Sequence, residues 1–181
     1  MSAALLRNNR KPNDIEDDRE LCLHVLTWTA LRFTSHDGDL KEHLRSFDEA
    51  YEARNGIKGG SLKRASLLGR DIPLQVKFEG RPHLKGLIAE LTKTFAVRYE
   101  EEPSKERLER LEEMEKAGLH SSKDLAENAV FQYKTRMRFL DERSWLVKTF
   151  RHHLDAGPWP ASDHAVKQLD DGHRMKRIKT G

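Results

Sequence analysis

The residue types that could do chemistry are few and scattered. His36 and Asp37 are adjacent, His24 lies upstream, and His152 and His153 form a second pair. Imidazole and carboxylate can hold a divalent metal. A histidine upstream of the His-Asp pair, with no well-placed later aspartate on a clear helix, does not complete a ligand set. The stretch "SHDGD" (residues 35–39) reads instead as a loop that starts the next helix. Neighbouring histidines on a helix point to different faces, so His152 and His153 make a poor chelate. There is no glycine-rich phosphate loop, no CxxC pair and no nucleophile triad. These patterns read as a protein that is not an enzyme and needs neither cofactor nor metal.

Phosphate binding is the better-supported chemistry. Residues 1–12 carry Arg7, Arg10 and Lys11 with no acid, and residues 172–181 carry Arg174, Lys176, Arg177 and Lys179 with no acid. Between them lie acidic clusters at Asp14–Glu20 and Glu100–Glu102. Basic ends on a mixed body suit a polyanion, although charged termini can also simply stay solvated. Three tryptophans could stack bases. Trp28 reads as core, Trp145 as helix packing, and Trp159, between two prolines, as a plug holding a loop onto its domain.

Those residues must be positioned by a lean fold. Of 181 residues 36% are hydrophobic and 35% charged, and 33 basic residues nearly balance 30 acidic ones for a net charge of +3. Such a balance permits nucleic-acid binding without demanding it. The single cysteine, Cys22, sits in "LCLHVLTW" and reads as core, which fits a reducing, cytoplasmic setting. No apolar run approaches the roughly 20 residues that span a bilayer.

Helical periodicity dominates. Asn13 or Asp14 caps a first helix that runs to about Phe33, apolar on most sides and therefore central. Leu40, Leu44, Phe47 and Tyr51 stripe a second helix, ended by Asn55-Gly56, so the two form an antiparallel hairpin. A glycine-rich linker and a short helix follow. Leu74, Val76 and Phe78 alternate with polar residues as in a strand, and Pro82 opens a new helix. Phe95 and Tyr99 continue that helical stripe, yet Thr94–Tyr99 also alternates like a strand, slightly the preferred reading. Gly118 stops a charged helix from Ser104, and Ser121 caps the next, which lacks proline or glycine up to Asp155 and can break near "DERS". The expected fold is mostly α: a helical hairpin, a small β element and a helix-turn-long-helix segment, with an all-α fold as the close alternative. The division is a basic arm (1–12), the hairpin (13–56), a linker with a short helix (57–72), a core (73–155) and a basic tail (156–181).

"TFAVRY", "RLERLEEMEKAGL" and "SSKDLAENAVFQY" together resemble the ribbon-helix-helix family of DNA-binding proteins over the central segment 94–135. That resemblance implies a dimer whose paired strands enter the DNA major groove. It implies that Thr94 and Arg98 face base edges, and that Ser121, Ser122 and Lys123, at a helix start, clamp a phosphate. The expected function is a nucleic-acid-associated protein, a DNA-binding regulator or mobile-element accessory protein, with DNA favoured over RNA. The alternative is a non-catalytic helical adaptor or small subunit of a larger assembly. Its expected partners are nucleic acid, itself as a dimer or other protein subunits, and no membrane.

Overall fold

The computed structural model describes residues 1–8, 10–53, 56–118, 127–160 and 164–166. The architecture is mostly helical. Helix α1 (Ala3–Arg7) leads into α2 (Ile15–Phe33), then α3 (Leu40–Arg45) and a β-hairpin of β1 (Ala50–Ala53) and β2 (Gly56–Gly59). Next come α4 (Ser61–Gly69), α5 (Asp71–Gln75) and α6 (Pro82–Ala96), which tightens into a 3-10 turn over Val97–Tyr99. After these lie α7 (Lys105–Ala117), α8 (Ala129–Asp141) and α9 (Trp145–Asp155).

The centre of the fold is α6 rather than α2. Leu84, Leu87, Ile88, Leu91 and Phe95 are all buried, and α2, α4, α5, α8 and α9 pack around them. Pro82 occupies the start of α6, as its fixed φ predicts. Helix α2 turns one side to solvent: Leu21, Cys22 and Val25 are exposed, so Cys22 is not a core residue. Trp28 is only half-buried, under the Arg32 guanidinium at 4.7 Å, and is not core either. The start of α2 follows the expected capping chemistry. Asp14 and Asp17 each accept the other's backbone N–H in a capping box.

Three expected elements differ. The second helix stops at Arg45, and the chain then enters the β-hairpin, with Ala50 opposite Gly59 and Ala53 opposite Gly56. Tyr51, expected at the end of the helical stripe, instead lies in a strand paired with β2, and Asn55 lies outside the described residues. At 71–75 a short helix replaces the start of the expected strand, leaving only Phe78 bridged to His36. Thr94–Tyr99 is no strand. Its first residues complete α6 and the rest form the 3-10 turn. The apolar positions of that stretch satisfy both periods, and packing against the core selects the helical one.

Gly118, in the left-handed region at φ 62°, ends α7 as expected. The expected long last helix is broken twice. Asn128 caps α8 afresh, its Oδ1 accepting from Val130 N (2.9 Å) and Phe131 N (3.1 Å). A turn at Arg143-Ser144 then separates α8 from α9. One hydrophobic core joins residues from Leu23 to Trp145, and Trp159 packs on its edge. The indole of Trp159 donates to Leu154 O (2.9 Å), the plug that its sequence setting predicts.

Candidate functional site: a buried ionic clamp and an exposed helical arm

Among the described residues, a dense set of ionisable groups lies where α2 meets the end of α6. Asp17 and Glu20, one helical turn apart on α2, are 1% and 0% exposed. Arg98 reaches both, Nη2 to Asp17 Oδ1 at 2.9 Å and Nη1 to Glu20 Oε2 at 2.6 Å. Tyr99 donates its hydroxyl to Glu20 Oε2 at 2.7 Å. His24, one turn further along α2, meets Glu20 Oε1 at 3.1 Å. Lys11 meets Asp17 Oδ2 at 2.5 Å and also pairs with Asp14.

The N-terminal residues close this cluster. Ser2 donates its hydroxyl to Asp17 Oδ1 (2.8 Å), Ala3 N donates to Glu20 Oε1 (2.8 Å) and Ala4 N to Tyr99 Oη (3.1 Å). Residues 1–12 are therefore not simply a basic arm. Ala3 and Leu6 are buried, and Lys11 serves the clamp.

Every oxygen of the two buried carboxylates has at least two partners. Asp17 Oδ1 takes Ser2 and Arg98, and Oδ2 takes Lys11 and Asp14 N. Glu20 Oε1 takes Ala3 N and His24, and Oε2 takes Arg98 and Tyr99. A carboxylate offers about four acceptor sites, so none is left over for general acid or base work. The cluster is a clamp, and what it does is hold three stretches of chain together.

Burial alone would raise both carboxyl pKa values, but the hydrogen bonds overcome it. Lys11, Arg98 and Ser2 hold Asp17 far below the ordinary carboxylate range, and His24, Ala3 N and Tyr99 hold Glu20 below it. Burial and the Glu20 carboxylate push the Tyr99 phenol well above its usual value. The unfolded chain therefore binds more protons than the folded one just below the ordinary carboxylate pKa of about 4. Stability is expected to be full above about pH 5 and to fall as the pH drops through 4 and below. At the alkaline end the unfolded Tyr99 ionises first, so stability should also decline above about pH 10. Urea midpoints measured across pH would check both limbs, and a flat acid limb would contradict the clamp.

The two proposed base-reading residues, Thr94 and Arg98, both face inward. Thr94 lies on α6, 4% exposed, within the core. Arg98 is engaged by Asp17 and Glu20, its guanidinium turned inward. Ser121, Ser122, Lys123, Arg174, Lys176, Arg177 and Lys179 lie outside the described residues. Among the described residues no histidines gather at a metal site. His36 uses Nε2 on Leu31 O (2.9 Å) and Nδ1 on Gly38 N (3.1 Å), and Asp39 caps α3, so "SHDGD" is the helix-starting loop. His153 binds Glu90 at 2.9 Å while His152 is exposed.

Sequence reasoning missed the roles of Asp17, Glu20, Tyr99 and Ser2. The available signal was the spacing of Asp17, Glu20 and His24 by three and four on an otherwise apolar helix, which puts polar groups on its buried face.

A different character marks α7 to α9. Helix α7 buries one of its 13 residues, Leu111, and packs chiefly on α8. Glu106, Glu109 and Glu113, spaced by three and four, are exposed on the helix. Across α8 and α9, Arg138, Arg143, Lys148 and Arg151 are exposed, as are Met137, Val147 and Leu154. Glu100 belongs to neither surface. Arg136 grips it with both guanidinium nitrogens, at 2.5 and 2.7 Å. No family model matches the chain, and neither does any curated protein or solved structure.

Proposed function

We propose that the chain is a non-catalytic helical adaptor, a small subunit of a larger assembly, and that α7 is the arm it offers to a protein partner. The observation that carries this reading is the single buried residue in a 13-residue helix. A helix polar on almost all sides gains little from its own fold, and such helices commonly bridge to other bodies. Its ion pairs Lys105 with Glu109 and Glu112 with Lys134 are exposed and contribute little. The large ionic cluster supports the same reading from the other side, since its carboxylates are saturated and offer no chemistry.

Replacing Glu106, Glu109 and Glu113 together by lysine should lower the melting temperature by a few degrees at most and leave the fold intact, because surface substitutions act within about 0.5 kcal/mol each. The same variant should lose the proteins that accompany the wild-type chain when it is purified from its source. If the accompanying set is unchanged, α7 is not the arm.

A second reading has one observation in its favour. Arg138 on α8, Arg143 in the turn, and Lys148 and Arg151 on α9 are exposed cations, with Lys148 paired to Glu142, a footprint suited to nucleic-acid phosphates. This is a route to the nucleic-acid association that the basic tail suggests, and it needs no ribbon strand. Duplex affinity that falls steeply with salt, and that weakens on Lys148→Glu with Arg151→Glu, would favour it over the adaptor.

A further inference from the structure

The clamp is also a socket, and α1 is what sits in it. Its floor is Gly60, at φ 82°, where a Cβ would come within 2.6 Å of Ala3 O and 2.9 Å of Leu6 Cβ. A side chain there would displace α1. Around that floor, Glu20 and Tyr99 take the N–H groups of Ala3 and Ala4, Asp17 takes the Ser2 hydroxyl, and Lys63 Nζ donates to Met1 O at 3.3 Å. Ser2, Ala3 and Leu6 are buried in the seat. The socket thus holds a short peptide through backbone groups, one hydroxyl and one leucine.

Two features make the occupant removable. A five-residue helix has no stability of its own and exists only while docked. Its departure strands neither carboxylate: Asp17 keeps Arg98, Lys11 and Asp14 N, and Glu20 keeps Arg98, Tyr99 and His24, while Lys63 exchanges Met1 O for water. Water then replaces only the contacts α1 made. Opening is therefore a local event, separate from loss of the core.

We propose that this socket is an exchangeable docking site and that its occupant in trans is α1 of a second copy of this chain. The structure already shows the fit, since the seated segment is the chain's own residues 2–6. A site that closes on α1 in cis closes on the same segment in trans whenever its own α1 is open. Residues 8–10 lead from α1 to Lys11, which stays on Asp17, and reach roughly 10–11 Å when extended, so the exchange is confined to closely abutting molecules. The proposal is independent of the role of α7.

Three measurements on the full chain test it. By hydrogen exchange, the amides of Ala3–Leu6 should be protected at least about tenfold less than those of Leu91 and Phe95, the mark of a local opening. Exchange of both sets at one common rate would overturn the proposal. A labelled peptide of residues 1–10 serves as the probe for a second α1. It should bind the Leu6→Ala chain saturably and the wild-type chain several-fold more weakly, because the wild-type segment competes better in cis. It should not bind Gly60→Ala, whose new Cβ fills the seat. No binding to Leu6→Ala, or equal binding by a peptide carrying Ala3→Asp, would overturn it. If Leu6→Ala does not melt cooperatively, the wild-type solution mass decides. A dimer fraction that grows with concentration and disappears in Gly60→Ala supports exchange, and a monomer at every concentration refutes it.

Discussion

Replacing Arg98 by methionine is expected to cost about 3–5 kcal/mol of stability, enough to unfold much of the population of a marginal domain. The methionine keeps most of the side chain's volume and removes its charge. Asp17 and Glu20, almost wholly buried, then lose the one cation that touches both. Lys11 still reaches Asp17, but Glu20 is left with neutral donors and His24. An uncompensated buried carboxylate either stays charged at high cost or takes up a proton, so Glu20 should titrate upward and the acid limb of the stability profile should flatten. Urea unfolding at pH 7 and pH 4 measures both effects. A loss below about 1 kcal/mol at pH 7 would mean that the ion pairs are not holding the fold. Any loss of nucleic-acid binding in an Arg98 variant must be read after this, because a missing fold also abolishes binding.

The second large effect belongs to the apolar centre. Phe95 is fully buried, and its ring meets Trp145 edge-on at a centroid distance of 5.7 Å, while Trp145 stacks on Phe139 at 6.3 Å. Phe95→Ala removes the ring that joins α6 to the α8–α9 pair. Truncations of this kind cost about 3–5 kcal/mol, from lost transfer energy together with the cavity left behind. The tryptophan makes a convenient reporter, because its near-ultraviolet signal should weaken even where far-ultraviolet helicity persists. A variant that keeps both the signal and the melting temperature would place Phe95 outside the core. Val147→Ala, at an exposed position of α9, is the matched control and should change little.

How much of this was legible in the residues depends on the kind of information needed. Capping chemistry read well, since Asp14, Asp39, Pro82 and Gly118 all act within a turn of their own position. The mostly helical class followed from the stripes. What failed were stretches where two periods coexist. Thr94–Tyr99 alternates every second residue and also steps by four, and only contact with distant residues decides between strand and helix. Tyr51 likewise continues the stripe of Leu40, Leu44 and Phe47, yet pairing with Gly56–Gly59 puts it in a strand. The site was least legible. Arg98 has the chemistry of a base reader and of a buried counter-ion alike, and its role is set by Asp17 and Glu20, about eighty positions away in the chain. Exposure of Cys22 and Val25 was hidden too, because an apolar helix does not announce which of its sides will lack a neighbour.

That separation along the chain has a consequence for how the protein is made. Asp17 and Glu20 precede their counter-ion by 81 and 78 residues. At a synthesis rate of about 5–20 residues per second, α2 leaves the ribosome roughly 4–16 s before Arg98 does. Through that interval its inward side carries two acids among leucines, with no arginine to neutralise them. An early collapse around α2 alone is therefore penalised, and the helix waits in water. Lys11 can meet Asp17 from the start, but Glu20 can be buried beside its arginine only after the end of α6 has been synthesised.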